Sequence, residues 1–331
     1  MGGKVSVHDV AVLFDFDGTI GDTETPAMQV AFWEIAPYLP NVSPGALDAQ
    51  MPAFVRDNAG KAFEFMVEAC DAARAEAGLP SAEEARQARS EDPATMAVVD
   101  PHRAQFGLKT LGELRAEGGG EHATLLIQQK EETVEALGKI AQPCPGVVEV
   151  LEKLSLDGVA YCISTTSPKP RVPVCITSCG LDAHFPAPKV HSGESDFDPP
   201  RFKPDPSVYR KAAAAEGKAP KNCVAVEDSG SGVGSAANAE VGLILGYVGA
   251  SHIGENKKRD HAKMLMSGAR SKNGRGADLV LSDFRDVPAL VSFFVGQRAD
   301  GKAAPFAFPQ DLLSSLHQPV WLKGDQYTVA N

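Results

Sequence analysis

Short apolar runs alternate with helical patterns along much of this 331-residue chain. The first run, Ala11 to Phe14, is apolar at every position and is followed by a turn signal, which predicts a buried strand. From residue 142 onward the runs VAYCIS, KVHS, NCVAVED, VGLILGYVG and ADLVLS are separated by helical patterns. Apolar strands that alternate with helices predict an α/β fold with a parallel sheet covered on both faces.

The stretch between residues 25 and 141 differs from the rest, because it has helical patterns and hardly any strand pattern. Ser81 and Glu84, for example, have the spacing of a capping box at a helix start. After residue 300 few positions are periodic, which predicts an extended tail. The predicted organisation is a core domain of residues 1–24 and 142–300, an inserted all-helical domain of residues 25–141, and a C-terminal extension of residues 301–331.

Two aspartates follow the first predicted strand. Asp15 and Asp17 are two residues apart, so they point to the same side of an extended chain. Two carboxylates at close range repel each other, and each resists ionisation unless a cation or a shared proton relieves the repulsion. The pair therefore predicts a metal site, or a division into acid and base roles.

Other polar residues follow the later strands. The strand VAYCIS leads into Ser164, Thr165 and Thr166, whose hydroxyls can hold anionic oxygens. Lys203 precedes a predicted helix, and the strand VAVED ends in Asp228. Because ligands bind beyond the carboxyl ends of parallel strands, we expect these groups to converge there with Asp15 and Asp17. Carboxylates, hydroxyls and one lysine together favour magnesium-assisted phosphoryl transfer.

Composition narrows the function further. The formal charge of −11 and the pI near 5.2 argue against binding of nucleic acid, which needs clustered basic residues. Six scattered cysteines predict reduced thiols in a cytoplasmic protein. No apolar run has the length of a membrane span and no signal peptide pattern opens the chain, so no stable membrane insertion is expected. The start MGGKVS fits the pattern for N-myristoylation at Gly2.

Four motifs in this order resemble those of the haloacid dehalogenase (HAD) superfamily of phosphohydrolases. They are DFDGT at 15–19, a strand that ends in Thr165, KPDPSVY from Lys203, and VEDS at 226–229. The resemblance covers residues 8 to 297 and includes a helical insertion after the first motif, as in subfamily I with the C1 type of cap. It implies a doubly wound, Rossmann-like core with an all-helical cap domain.

The resemblance also implies roles for these residues. Asp15 would be the nucleophile that forms an aspartyl phosphate, and Asp17 would be the general acid and base. Thr165 and Lys203 would bind the transferring phosphoryl group. In the second motif the register stays open by one residue, and Thr165 is favoured over Ser164 or Thr166. Mg²⁺ would be held by the carboxylates of Asp15 and Asp228 and by the backbone carbonyl of Asp17.

The same motifs discriminate among the reactions of the superfamily. Dehalogenases and enzymes that cleave carbon–phosphorus bonds lack the second aspartate, so Asp17 counts against both activities. Sugar phosphomutases share a histidine twelve residues after the nucleophile, where this chain has Ala27. The expected activity is therefore hydrolysis of a small phosphate monoester. A phosphomutase, or a protein that binds a phosphorylated metabolite without turnover, remains the alternative.

The specificity of such enzymes comes from the cap. In the stretch FVRDNAGKAFEF, Arg56 and Lys61 are the candidate contacts to the substrate. The large predicted cap favours a small phosphorylated metabolite, such as a sugar phosphate, over a protein surface. The protein is expected to act as a monomer.

Overall fold

The structure is a computed structural model, and it describes residues 5–58, 63–116 and 124–323. The chain forms two compact units. The sheet unit comprises Met1–Asp22 and Pro143–Asn331, and the helical unit comprises Thr23–Gln142. The predicted bounds of the helical domain, 25 and 141, differ from these bounds by a few residues. Gly2 lies outside the described residues, so its acylation stays a prediction.

The sheet unit is built on a mostly parallel sheet of seven strands. Their order across the sheet is β5-β4-β1-β6-β7-β8-β9, and only the last pair is antiparallel among the described residues. The strands of this sheet, and the two short strands numbered with them along the chain, are β1 (Ala11–Phe14), β2 (Gly21–Asp22), β3 (Gln142–Pro143), β4 (Ala160–Thr165), β5 (Val190–Ser192), β6 (Cys223–Glu227), β7 (Leu243–Tyr247), β8 (Leu279–Leu281) and β9 (Val320–Leu322).

Helices connect and flank these strands, which confirms the predicted doubly wound α/β core. Numbered after the seven helices of the helical unit, they are α8 (Val147–Leu156), α9 (Arg171–Ser178), α10 (Ser207–Ala215), α11 (Gly230–Asn238), α12 (Lys258–Met266), α13 (Val287–Ala299) and α14 (Gln310–Ser315). Strand β1 lies between β4 and β6, and all four of its residues are fully buried. Its carboxyl end therefore lies inside the sheet, with a neighbouring strand on each side.

The expectation of an extended tail after residue 300 is wrong for the described part of that segment. Helix α14 is followed by β9, which pairs with β8 and completes the sheet. Trp321 in β9 is buried. The buried Asp286 carboxylate accepts hydrogen bonds from the backbone N–H of His317 and lies 2.7 Å from its Nδ1. The three-residue apolar run of β9 is too short to show a strand period in the sequence.

Apart from Gln142 in β3, the regular elements in the described part of the helical unit are helices, as its sequence pattern predicts. They are α1 (Glu24–Ile35), α2 (Leu47–Asn58), α3 (Phe63–Glu76), α4 (Ala82–Gln87), α5 (Pro93–Gln105), α6 (Leu111–Ala116) and α7 (Leu125–Ile140). The predicted capping box is present, since Ser81 and Glu84 bond reciprocally at the start of α4. Within the described ranges, none of the helices combines the length and the apolar character needed to cross a membrane.

Candidate active site

Asp15 lies directly beyond the carboxyl end of the central strand β1. Its backbone N–H donates to the carbonyl of Val226 in β6 at 3.0 Å, which continues the ladder by one residue. The chain then turns sharply, because the carbonyl of Phe16 accepts from the N–H groups of Ile20 and Gly21. The Asp15 side chain is buried but for a tenth of its surface. The strand thus presents one carboxylate at the middle of the sheet edge.

Lys203 links this carboxylate to a second one. Its ammonium Nζ donates to Asp15 Oδ1 and to Glu227 Oε1, each at 2.5 Å, and the lysine side chain is 3% exposed. Glu227 is the last residue of β6 and is fully buried. The hydroxyl of Tyr209, from α10, donates to the same Glu227 oxygen at 2.5 Å. Glu227 therefore holds Lys203 against Asp15.

Electrostatics in this group are dominated by burial. Burial raises the pKa of the Asp15 carboxyl to about 8; Lys203 opposes this shift, and Glu227 adds to it. Burial also disfavours the Lys203 ammonium, but its two carboxylate partners outweigh that effect and raise the pKa of the lysine. One ammonium ion cannot neutralise both carboxylates, so a further cation beside Asp15 would be stabilised.

Asp17 lies on the same turn and is held by a different set of groups. Ser167 Oγ donates to Asp17 Oδ2 at 2.5 Å, and an Arg171 guanidinium nitrogen donates to Asp17 Oδ1 at 2.6 Å. Both partners follow β4, Ser167 in the connecting loop and Arg171 as the first residue of α9. The two aspartates therefore have different partners. Asp15 is bound by a lysine, and Asp17 is bound by an arginine and a serine.

Strand β4 ends at Thr165, which is 1% exposed. The Thr165 hydroxyl accepts from the backbone N–H of Ser167 at 3.0 Å, and the Thr165 carbonyl accepts from the N–H of Gly193 at 2.8 Å. Ser164 is fully buried on the strand, and within the described residues its hydroxyl has no hydrogen-bond partner. The register of the second motif stays a prediction.

Asp228 follows β6 and lies near two histidines. Its carboxylate accepts from the Thr19 hydroxyl at 3.3 Å and is 3.3 Å from Nε2 of His252. Burial and, to a smaller extent, nearby His261 lower the pKa of His252 to about 4, so the ring is neutral at neutral pH. Nε2 of His261 lies 2.6 Å from the backbone carbonyl of Asp228. Asp228 is thus fixed through both its side chain and its main chain.

The acidic residues at this edge fit a hard divalent cation. Carboxylate oxygens of Asp15, Glu227 and Asp228 lie within 4.8 Å of one another. Glu227 is already engaged by Lys203 and Tyr209, whereas Lys203 binds only one of the two Asp15 oxygens. Oxygen donors of this kind are those that Mg²⁺ prefers in proteins. The donor set of this acidic cluster therefore fits the expected metal.

Arg56 and Lys61 are the two substrate contacts expected in the helical unit. Within its described residues, the structure places neither of them at a candidate site. The Arg56 side chain is 59% exposed and pairs with its neighbour Asp57 at 2.8 Å. Lys61 lies outside the described residues. Both assignments stay predictions.

Comparison with known proteins identifies the family. The sequence profile of haloacid dehalogenase-like hydrolases matches residues 10–240, which is more than half of the chain. The chain belongs to this family. The resemblance inferred from the four motifs is therefore confirmed, and the sheet edge with Asp15 is the place where this hydrolase carries its motif residues.

Individual relatives support the fold. The hydrolase is 35% identical over 101 residues to a CBBY-like protein of Arabidopsis thaliana, a match that spans about a third of each chain. A HAD-like protein of unknown function from Agrobacterium tumefaciens is 23% identical in structure-based alignment, with a TM-score of 0.56 over 86% of this chain and 98% of that one. A HAD family hydrolase from Deinococcus radiodurans, solved with bound phosphate and sodium, is 19% identical with a TM-score of 0.54 over 89% and 98%.

Several contacts of this site were not expected from the sequence. Ser167 and Arg171 hold Asp17, and Tyr209 holds Glu227. A weak signal existed for His252, because it lies in the loop that follows the carboxyl end of β7. Arg171 offered no such signal, since an arginine at a helix start is usually a solvated charge.

Close packing around Glu227 gives a first prediction for this hydrolase. Gly232, in the first turn of α11, has no room for a side chain, because an added Cβ would overlap the Glu227 carboxylate. Gly232→Ala should displace Glu227 from Lys203, destabilise the protein by about 1–3 kcal/mol, and lower activity. Urea unfolding and turnover measure the two effects.

A glycine in another helix supplies the control. Gly296 in α13 has nothing within 4 Å of an added Cβ. Gly296→Ala should therefore leave turnover unchanged and raise stability by about 0.5–1 kcal/mol, as alanine does in helices. Equal effects of the two substitutions would show that the fit around Glu227 does not matter.

Proposed function

We propose that this hydrolase is a Mg²⁺-dependent phosphatase that cleaves a small phosphate monoester through an aspartyl phosphate on Asp15. The observation that carries the proposal is the placement of Asp15, whose carboxylate lies at the central strand end with Lys203 at 2.5 Å. A buried carboxylate beside a fixed ammonium ion is suited to attack on an anionic phosphoryl group, because the ammonium offsets the repulsion between them.

The first half of the reaction transfers the phosphoryl group to the enzyme. An Asp15 oxygen forms a bond to phosphorus while the bond from phosphorus to the ester oxygen breaks. The departing oxygen takes a proton from Asp17, so that an alcohol leaves. Lys203 and the Thr165 hydroxyl bind phosphoryl oxygens in this proposal, where they stabilise the negative charge of the transition state.

The second half restores Asp15. The Asp17 carboxylate takes a proton from water, the water oxygen forms a bond to phosphorus, and the bond from phosphorus to Asp15 breaks. Inorganic phosphate is released, and Asp17 again carries a proton. One residue thus serves as acid and then as base, which requires that it face the same point on both occasions.

Mg²⁺ would be held by the carboxylates of Asp15 and Asp228 and by the backbone carbonyl of Asp17. When bound, the ion supplies positive charge to the phosphoryl oxygens and to the carboxylates around it. The short bonds from Lys203 and Tyr209 to Glu227 favour Glu227 as the support of Lys203 over Glu227 as a metal ligand.

The deciding experiment measures phosphate release from a panel of phosphate esters with Mg²⁺ or with EDTA. We expect metal-dependent release in the wild type and a loss of about 10⁴-fold or more in Asp15→Asn, which removes the nucleophile and keeps its shape. Near-ultraviolet circular dichroism checks that the variant is folded.

Two other results would contradict the proposal. Release that survives both EDTA and Asp15→Asn would exclude Asp15 as the nucleophile. No release from any ester, together with binding of phosphate esters, would instead favour a phosphomutase that needs a bisphosphate activator or a metabolite-binding protein.

A further inference from the structure

Both carboxylate oxygens of Asp17 are held by the segment that connects β4 to α9. Ser167 Oγ donates to one oxygen at 2.5 Å, and Arg171 donates to the other at 2.6 Å. The side chains are largely removed from solvent, with 13% of Asp17 and 21% of Arg171 exposed. We call Ser167 and Arg171 the Asp17 clamp. A carboxylate bonded at each oxygen by a different group has little freedom to rotate.

The clamp is itself fixed by the last residue of β5 and by the loop that follows this strand. The hydroxyl of Ser192 donates to the Ser167 carbonyl at 2.7 Å, and the Lys169 N–H donates to Ser195 Oγ at 2.9 Å. The Lys169 ammonium pairs with the buried carboxylate of Asp196 at 2.6 Å. These bonds join two segments of the sheet unit that are more than twenty residues apart in the chain. The clamp is therefore part of the scaffold, not a chance surface contact.

The clamp also balances charge. Asp15, Asp17 and Asp228 are three acidic residues at a place where, in the proposed function, a phosphate anion must enter. Lys203 is already shared between Asp15 and Glu227. The Arg171 guanidinium places a second positive charge at this edge and directs it to Asp17.

We propose that Ser167 and Arg171 are positioning residues that orient the Asp17 carboxyl group, which gives a proton to the leaving oxygen and then, as the carboxylate, takes one from water. This inference rests on the proposed phosphatase function. Ser167 and Arg171 each donate to a different Asp17 oxygen, so each of them restricts rotation of the Asp17 side chain. A proton carrier that is misplaced by about 1 Å can cost about 100-fold in rate, so loss of the clamp should be costly.

The test compares two esters whose leaving groups differ in their need for a proton. p-Nitrophenolate leaves readily without protonation, whereas the alkoxide of an alkyl phosphate such as glycerol phosphate does not. In Arg171→Met, kcat/KM should fall by about 100-fold for the alkyl ester and by less than about 10-fold for the nitrophenyl ester. Ser167→Ala should lower kcat/KM for the two esters in the same pattern but by smaller factors. Arg171→Lys should lose less activity than Arg171→Met.

A second comparison uses the Asp17→Asn background. If Arg171 acts through Asp17, Arg171→Met should add less than about 3-fold to the loss of Asp17→Asn on the alkyl ester. Arg298→Met is the matched control, because Arg298 bonds Asn222 ahead of β6, at the opposite edge of the sheet. Arg298→Met should leave kcat/KM for both esters unchanged.

Three outcomes would overturn the positioning role. The first is an equal loss for the two esters in Arg171→Met, and the second is a full further loss in the Asp17→Asn background. Both would mean that Arg171 only supports the fold or binds phosphate. The third is a wild type that releases phosphate from no alkyl or aryl ester of the panel with Mg²⁺. This result would contradict the proposed function itself, and it is distinguished from the other two because it needs no variant.

Discussion

Lys203→Met is expected to lower phosphate release by about 100-fold or more and to destabilise the sheet unit by about 3–5 kcal/mol. The two effects have one origin. Lys203 is 3% exposed and is the ion-pair partner of both Asp15 and Glu227. Without it, two buried carboxylates face each other with no cation between them, and the charge that the transferring phosphoryl group would meet is removed.

Stability can be measured for the sheet unit alone because the chain has two tryptophans, one in each unit. Trp321 is in β9 and Trp33 is in α1, and both are buried. In a Trp33→Phe background, the fluorescence of Trp321 during urea unfolding reports the sheet unit. Lys203→Met should shift this transition to lower urea.

A double variant separates the two effects. Lys203→Met with Glu227→Gln leaves one buried carboxylate in place of two, so much of the lost stability should return. Activity should stay low, because no ammonium faces Asp15. Recovery of activity together with stability would mean that Lys203 serves the fold and has no part in the chemistry.

The sequence predicted the strands and the groups at their ends because both depend on local patterns. An apolar run of a few residues identifies a strand, and the residue that follows it must lie at the sheet edge. Asp15, Thr165 and Asp228 were placed at the ends of strands in this way, and the structure has them there. The capping box of Ser81 and Glu84 is equally local, and the structure contains it.

Contacts between distant segments could not be predicted in the same way. Arg171 and Asp17 are 154 residues apart, and Arg103 and Glu34 are 69 residues apart. No periodicity connects such partners, and each charged residue alone suggests a solvated surface position. The pairing of β9 with β8 could not be predicted either, because an apolar run of three residues does not identify a strand until its neighbouring strand is known.

The helical unit contains a buried ionic group that shows what such long-range pairing does. Arg103, in α5, is 1% exposed and bonds Glu34 of α1 at 2.7 Å and both oxygens of Glu132 of α7 at 2.7 and 2.8 Å. Gln128 donates to the second Glu34 oxygen at 3.0 Å. Three helices are therefore joined through one guanidinium in the middle of the unit.

Arg103→Met is expected to destabilise the helical unit by about 3–5 kcal/mol, because it leaves two carboxylates buried without their cation. In a Trp321→Phe background, the fluorescence of Trp33 during urea unfolding measures the change. Arg56→Met is the matched control. It removes the same charge from an exposed pair with Asp57, which should cost about 0–1 kcal/mol.

The stability lost in Arg103→Met should also depend on pH, and the pKa shift of Glu34 gives the direction of this dependence. Burial raises the pKa of Glu34 well above its usual value; Arg103 opposes that shift, and Glu132 adds to it. A group whose pKa is raised by folding stabilises the folded state at low pH and loses that contribution as pH rises. Without Arg103 the largest opposing interaction is lost, although Gln128 still donates to Glu34, so the pKa of Glu34 should rise further. The cost of Arg103→Met should therefore be smallest at low pH, where Glu34 is protonated in both folded proteins, and should grow as pH rises through the raised pKa that Glu34 has in the wild type. Adding Glu34→Gln should reduce both the cost and its slope with pH. A cost that stays the same from pH 5 to the highest pH at which the wild type is folded would mean that the carboxylates gain other partners when the arginine is removed.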